Sequence, residues 1–362
     1  MNSSEIAWRR LANQQIGVSS RKHPGQVVGG LGAMQAQDYP GLKWSVALRL
    51  PGATEKTVEQ AIDERKIVRT WLMRGTLHLA AAEEVRWMLQ LFAPRIMERS
   101  AKRRREIGLD EAEIKKCESH FIRALQGNKQ RTRDELSELL RGKGIPVEGP
   151  RAYHIFWRIA LGGLICFGLH QGKQPTFALL EEWVPKAAAL SHEEALTELA
   201  KRYFTSHGPA TLKDFTWWSG LNAAEAKQGL AAVGGQLQKM QAGGMTYYFA
   251  ESGKPLPDLE NSACLLPGFD EYILGYNYRG DVLESKYSDK IVPGGNGMFL
   301  PTLVLGGKVA GTWKKTFKKE RVEIEVNPFA KVAKSWHPAI EASARNYAAY
   351  MGISSAPIKF TY

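Results

Sequence analysis

The sequence predicts an α+β fold, built as tandem winged helix-turn-helix units followed by a C-terminal β-rich domain. Three observations carry this prediction. The order helix, helix, helix, hairpin recurs along the first 255 residues. Thr132 and Thr211, each opening the second helix of such a unit, stand 79 residues apart. Past about Leu256, strand-like runs replace helical periodicity. The implied division is 1–106, 107–185, 186–255 and 256–362, with the two middle copies the clearest.

In the first unit, EIAWRRLANQQI reads as a helix, a second helix runs from Pro24 to about Met34, and TVEQAIDERK supplies a third. VRTWLM and TLHLA then make a hairpin turning across Arg74-Gly75. The second unit opens with an amphipathic helix from Leu109 to Leu125, whose apolar positions include Ile114, Phe121 and Ile122. Thr132-Arg-Asp-Glu135 is a capping box, in which hydroxyl and carboxylate satisfy amides left orphaned at a helix start. RAYHIFWRIAL is the third helix, and LICFGLH and TFALL pair across QGKQP. The third unit repeats the order. Ser191 opens SHEEALTELAKRYF, Thr211-Leu-Lys-Asp214 caps the next helix, Asn222 opens NAAEAKQGLAAV, and QLQKMQ pairs with MTYYFAE across AGG. In the last domain PGFDEYILGYNY, LPTLVLGGKVAGTW and ERVEIEVNPF read as strands, with Gly306-Gly307 as a two-residue turn. WHPAIEASARNYAAYMG reads as a helix before a final strand, IKFTY.

Composition narrows the function. Of 362 residues, 44% are apolar and 24% charged, which supports an ordinary buried core. Forty-nine Lys and Arg against 37 Asp and Glu give a net charge of +12, a balance that favours an anionic partner. The longest apolar stretch, Ile159 to Leu169, has 11 residues and three glycines, well short of the roughly 20 that a membrane-spanning helix needs. The N-terminus lacks an apolar export core, and the three cysteines fit neither a disulfide frame nor zinc spacing, so a cytoplasmic, nucleoid-associated protein is expected.

Common catalytic signatures are missing: there is no Walker loop, HExxH or GxSxG, and the histidines are scattered. Two basic clusters stand out. Arg99, Lys102, Arg103, Arg104 and Arg105 crowd a helix end, and Lys314, Lys315, Lys318 and Lys319 flank Phe317; either group is a solvated surface or a contact for phosphates. In Met34-Gln35-Ala36-Gln37-Asp38, side chains two apart would diverge by about 200° on a helix, so Gln35 and Gln37 can address one ligand only if the helix has ended. Pro40-Gly41 supplies that ending.

The segments MQAQD, RTWLMRGTLHLA, HGPATLKDFTWWSGL, LLPGFDEYILGY and KVAGTW together resemble the AlkZ/YcaQ-type winged-helix DNA glycosylases over nearly the whole chain, in the Gln-x-Gln branch. The resemblance implies that Gln35 and Gln37 are catalytic and that tandem winged helices form a basic concave surface for duplex DNA. It also implies an open groove that reaches a lesion without enclosing it. Arg74 and His78 lie in a matching motif and are expected to support the site or touch DNA.

Amides do not titrate near neutrality, so a Gln pair orients water and does not deprotonate it. That suits a base already primed to leave, such as cationic N7-alkylguanine. The expected enzyme is therefore a monofunctional DNA glycosylase producing abasic sites, with no metal or organic cofactor, and the resemblance further implies the unhooking of interstrand crosslinks. Its partner is double-stranded DNA carrying alkylated bases, with no membrane partner, and a monomer is expected. Asp38 is either a stronger base beside the pair or a cap for the following turn. The competing readings are a non-catalytic winged-helix DNA-binding regulator, with Arg151 or Arg158 facing the groove, and an interaction scaffold.

Overall fold

The computed structural model describes residues 2–187, 189–251 and 259–361; the expected domain boundary near Leu256 lies outside them. Helices α1 (Ser3–Asn13) and α2 (Pro24–Leu31) lead to a short strand β1 (Met34–Gln35), then α3 (Tyr39–Leu48) and α4 (Glu55–Asp63). Strands β2 (Ile67–Trp71) and β3 (Leu77–Ala81) are followed by α5 (Val85–Arg99) and α6 (Ala101–Glu106). Next come α7 (Glu111–Leu125), β4 (Arg131–Thr132), α8 (Arg133–Arg141), α9 (Arg151–Leu161), β5 (Ile165–Gln171), β6 (Gln174–Leu179) and α10 (Leu180–Trp183). The series continues with α11 (His192–Ser206), α12 (Leu212–Ser219), α13 (Ala223–Val233), β7 (Gln238–Ala242), β8 (Met245–Phe249), β9 (Ala263–Leu266), α14 (Glu271–Leu274) and α15 (Ser288–Ile291). It closes with β10 (Thr302–Leu305), β11 (Lys308–Phe317), β12 (Val322–Pro328), α16 (His337–Tyr350) and β13 (Ile358–Phe360).

These elements gather into two compact units, one formed by Met1–Gln60 with Leu196–Tyr362 and the other by Ala61–Ala195. In the second, β2 and β3 pair antiparallel around a turn in which Arg74 takes φ 58°. Strands β4, β6 and β5 form a three-stranded sheet behind α7, α8 and α9, the winged-helix order. The Thr132 hydroxyl accepts from the Glu135 amide at 3.2 Å, and the Glu135 carboxylate accepts from the Thr132 amide at 2.7 Å, completing the capping box. Phe121, Leu136, Ile155, Phe156 and Phe177 bury together with Trp71. The Trp157 indole N–H reaches back to the Gly75 carbonyl at 2.9 Å. Gly75 is required there, since it has φ 73° and a Cβ would press to 3.1 Å from Trp157.

The first unit holds the other clear winged helix, α11 to β8. A bridge between Ala210 and Tyr248 stands where β4 pairs in its counterpart, and Thr211 forms its capping box with Asp214. A five-stranded sheet, ordered β13-β12-β11-β10-β9, is antiparallel except where β13 joins β12 in parallel. Gly306-Gly307 makes the tight turn between β10 and β11. Helix α16 lies on this sheet, its Ser343 hydroxyl accepting from the Leu265 amide at 3.0 Å.

Three departures from the sequence reading bear on function. Pro40 does not end a helix but sits in the first turn of α3, where its missing N–H costs nothing. That adds a helix, so α2, β1, α3, α4, β2 and β3 run in the same order as α7, β4, α8, α9, β5 and β6. The apolar run after Pro267 is not a strand, because Asp270 caps the short helix α14 through the Tyr272 amide at 2.9 Å. Finally, α1 shares a core with the C-terminal sheet, where Ala7, Leu11 and Ile16 meet Leu266, Tyr272, Val304 and Val309. Contact density therefore joins the two ends of the chain and does not follow four consecutive domains. Truncating the fully buried Leu11 would cost about 2–5 kcal/mol.

Candidate active site around Gln35 and Gln37

The Gln-x-Gln segment begins where α2 stops. Gly32 turns the chain with φ 86° against Trp218, and the backbone then runs extended through Met34–Gln35. In extended chain, residues two apart share a face, so the amides of Gln35 and Gln37 meet: the Gln35 side chain donates to the Gln37 side-chain oxygen. Gln35 is buried, 7% exposed, while Gln37 is exposed; one amide is held by the protein and the other faces solvent.

The backbone beneath the pair is pinned by a carboxylate that the sequence reading missed. Glu271, at the start of α14, accepts from the Gln35 amide N–H at 2.8 Å and from the Trp218 indole N–H at 3.0 Å. Its second oxygen lies 3.5 Å from His207 Nε2, and His207 Nδ1 is 2.8 Å from the Ser206 hydroxyl. Burial, opposed by hydrogen bonding to Glu271 and by its charge, holds the His207 imidazole below its ordinary pKa. Helix α14 is itself anchored from α3 and the residue that caps the C-terminus of α3: Arg49 grips the Asp270 carboxylate through two bonds of 2.7 and 2.9 Å, and the Ser45 hydroxyl adds a third at 2.6 Å. Burial alone would raise the Asp270 pKa, but the Arg49 charge and these hydrogen bonds outweigh it and hold the carboxyl below the usual range. A buried bidentate ion pair of this kind fixes geometry more than it adds stability. The polar chain continues from Arg49 to Gln14 at 2.9 Å, to the Tyr276 hydroxyl at 3.0 Å, and on to the His207 carbonyl at 2.7 Å. The available signal was two acidic residues, Asp270 and Glu271, inside an apolar run, where burial demands partners.

Asp38 occupies the N-cap position of α3 but makes no capping hydrogen bond with its side chain, so the expected turn-capping role is not filled. Its carboxylate lies over Gly41, where a Cβ would collide with it. Arg74 and His78 belong to the 61–195 unit. His78 is fully buried on β3, with Nδ1 2.9 Å from the Thr76 carbonyl and Nε2 3.4 Å from Arg74 Nη2.

The basic clusters divide by burial. Arg99, Lys102, Arg103 and Arg105 are exposed, but the helix breaks at Ser100, and Arg104 turns inward to the Met97 carbonyl, the Ser100 hydroxyl and Glu111. Lys318 and Lys319 are exposed beyond β11, whereas Lys314 pairs with Glu325 at 3.0 Å and Lys315 is half-buried. Arg151 and Arg158, which a regulator would aim at DNA, are instead paired with Glu113 and Glu111. Among the described residues no group of three or more His, Cys, Asp or Glu is placed to hold a metal, and no helix is long and apolar enough to cross a membrane.

Comparison with known proteins gives a consistent answer. The AlkZ-like DNA glycosylase family matches residues 28–350. The chain is 26% identical over 374 aligned positions to an interstrand DNA cross-link repair glycosylase of Streptomyces sahachiroi, spanning 98% of this chain and 97% of that protein. The solved structure of Streptomyces sahachiroi DNA glycosylase AlkZ has the same fold, with a TM-score of 0.78 at 24% identity over the full length of both chains.

Proposed function

The chain belongs to the AlkZ-like DNA glycosylase family, and from that premise we propose that it removes N7-alkylguanine-type bases from duplex DNA with water oriented by Gln35 and Gln37. The observation that carries the reading is the meeting of the two amides on a backbone pinned by the buried Glu271. In an N7-alkylated nucleotide the base is cationic, so heterolysis of the N9–C1′ bond moves the bonding pair onto N9 and releases a neutral base. Water adds to C1′, its proton leaves to solvent, and the products are an abasic site and the free alkylated base. The amide oxygens of Gln35 and Gln37 hold that water and stabilise the positive charge growing on the sugar; such preorganised dipoles act without reorganising during the reaction. His207 is fully buried, with Nε2 3.5 Å from the Glu271 carboxylate, and is proposed to help hold that residue in place.

The name of the Streptomyces relative supports extending the substrate range to interstrand crosslinks. Exposed Arg99, Lys102, Arg103, Arg105, Lys318 and Lys319 are the side chains proposed to meet phosphates, and Arg74 and His78 are proposed as support. The test is incubation with end-labelled duplex DNA carrying one N7-methylguanine, followed by alkaline cleavage. Strand breaks with the wild type that fade in Gln35→Ala and Gln37→Ala are expected. An intact strand under conditions where the duplex is bound would overturn the proposal for this base, and a crosslinked duplex run in parallel reads the wider substrate range.

A further inference from the structure

A cavity of about 470 Å³ opens beside the residue that follows Gln37, walled by Asp38, Gly41, Pro267, Leu300, Trp313 and Lys315. Its size falls within the range of about 300–1,000 Å³ typical of small-ligand sites. Pro267, Leu300, Pro301 and the Trp313 ring supply its apolar wall, and Thr312, Lys314 and Asn327 add polar groups at its edge. Trp313 is held in place by its indole N–H, which donates to the Leu266 carbonyl at 2.7 Å, and by an edge-on contact with Tyr347 at 5.3 Å.

Two charged groups face this apolar space without being consumed by the protein. Among the described residues, neither the Asp38 carboxylate nor the Lys315 ammonium forms a hydrogen bond or ion pair; Lys315 lies only over the rings of Trp313 and Tyr347, at 5.9 and 5.0 Å. Burial lowers the Lys315 pKa, and the charges of Asp38 and Glu55 oppose that shift. The glycine at 41 leaves room for the Asp38 carboxylate where any other side chain would displace it. Partly desolvated charges with no partner are costly to maintain, and a ligand edge that satisfies both removes the cost.

We propose that this cavity receives the alkylated base and reads it as guanine, with Asp38 accepting from the N1–H and N2–H donors and Lys315 donating to O6, against the Trp313 wall. The acceptor-only carboxylate and donor-only ammonium match the donor and acceptor order of a guanine edge; adenine presents an acceptor at N1 and a donor at N6. The same carboxylate is favourable to a cationic base before cleavage. This inference rests on the glycosylase reading above.

The test uses the full chain and two free bases, 7-methylguanine and 7-methyladenine, in equilibrium dialysis, beside a single-turnover excision assay on N7-methylguanine duplex. The wild type is expected to hold 7-methylguanine about tenfold or more tighter than 7-methyladenine. Asp38→Asn, which puts donors where guanine also donates, and Lys315→Met are each expected to abolish that preference. Gly41→Ala, which pushes the carboxylate aside while keeping its charge, is expected to reduce it. Equal binding of the two bases, no binding of either, or a preference that survives Asp38→Asn would overturn the inference. If excision proceeds while the bases bind alike, the glycosylase reading stands and the base pocket falls; if guanine is preferred while no base is excised, the reverse holds.

Discussion

Helix α8 begins on Thr132 and helix α3 on Asp38, at the same place in their element order, and the two starts are built in opposite ways. At Thr132 the third helical position is Glu135, and hydroxyl and carboxylate satisfy each other's amides. The third winged helix does the same with Thr211 and Asp214. At Asp38 the third helical position is Gly41, the side chain makes no cap bond, and the preceding residues Gln35 and Gln37 turn their amides toward each other. One start is closed for folding; the other leaves polar groups available and is stabilised from behind by Glu271 and by the Arg49–Asp270 pair. A segment that breaks the local rule kept by its counterparts, with compensation supplied elsewhere, is the physical mark of a functional site.

The contrast breaks most sharply under substitution of the amides. Gln35→Ala and Gln37→Ala should each lower the single-turnover excision rate by roughly 100-fold or more, the scale of a lost preorganised dipole. Exposed Gln37→Ala should leave the unfolding free energy within about 0.5 kcal/mol of wild type, as surface changes usually do. A large loss of stability with intact excision would mean that the segment is structural.

Glu271→Gln comes next. It keeps the shape and one acceptor for the Gln35 amide but faces the Trp218 indole with mismatched donors. Excision is expected to fall by about tenfold with KM little changed, because the Gln pair shifts while the DNA-binding surface does not. Denaturation should show a loss of about 1–3 kcal/mol for the group left unsatisfied. A drop confined to KM would assign Glu271 to DNA binding instead.

The counterpart sets the third test. Thr132→Ala removes a working cap and should cost about 1 kcal/mol in urea unfolding while leaving excision unchanged. Together, Gln37→Ala and Thr132→Ala form a crossed pair, each moving the quantity that the other spares.

The same contrast explains what the sequence disclosed. Thr132 and Thr211 are legible because a capping box is local chemistry four residues long, and the hairpins because turn and alternation lie side by side. That Gln35 and Gln37 share a ligand only outside a helix was legible, but Pro40-Gly41, which reads as the ending, is not where it lies; the chain leaves α2 at the positive-φ Gly32. Helix α3 was hidden because Tyr39-Pro40-Gly41 reads as a stop when its cap is unmade. Glu271 was hidden because its partners, Gln35, Trp218 and His207, are distant in sequence, and so was the union of α1 with the C-terminal sheet.

The smallest expected effect lies in pH. His207 is fully buried beside Glu271, and its folded-state pKa is depressed below the ordinary value of 6.5. Between those two values the unfolded chain binds a proton that the folded chain does not, so stability rises with pH there and is lost as pH falls below 6.5. His154, in the 61–195 unit, is shifted the same way, chiefly by burial and further by Arg103 and Arg104, so the wild-type slope alone does not identify the group responsible. The difference between wild type and His207→Gln does. Thermal unfolding followed from pH 7 to pH 5 should drop more steeply for the wild type, and His154→Gln should restore none of the difference. If the two curves run parallel, protonation of His207 is compensated by Glu271, and the site behind Gln35 carries a charged pair, not a neutral imidazole, throughout that range.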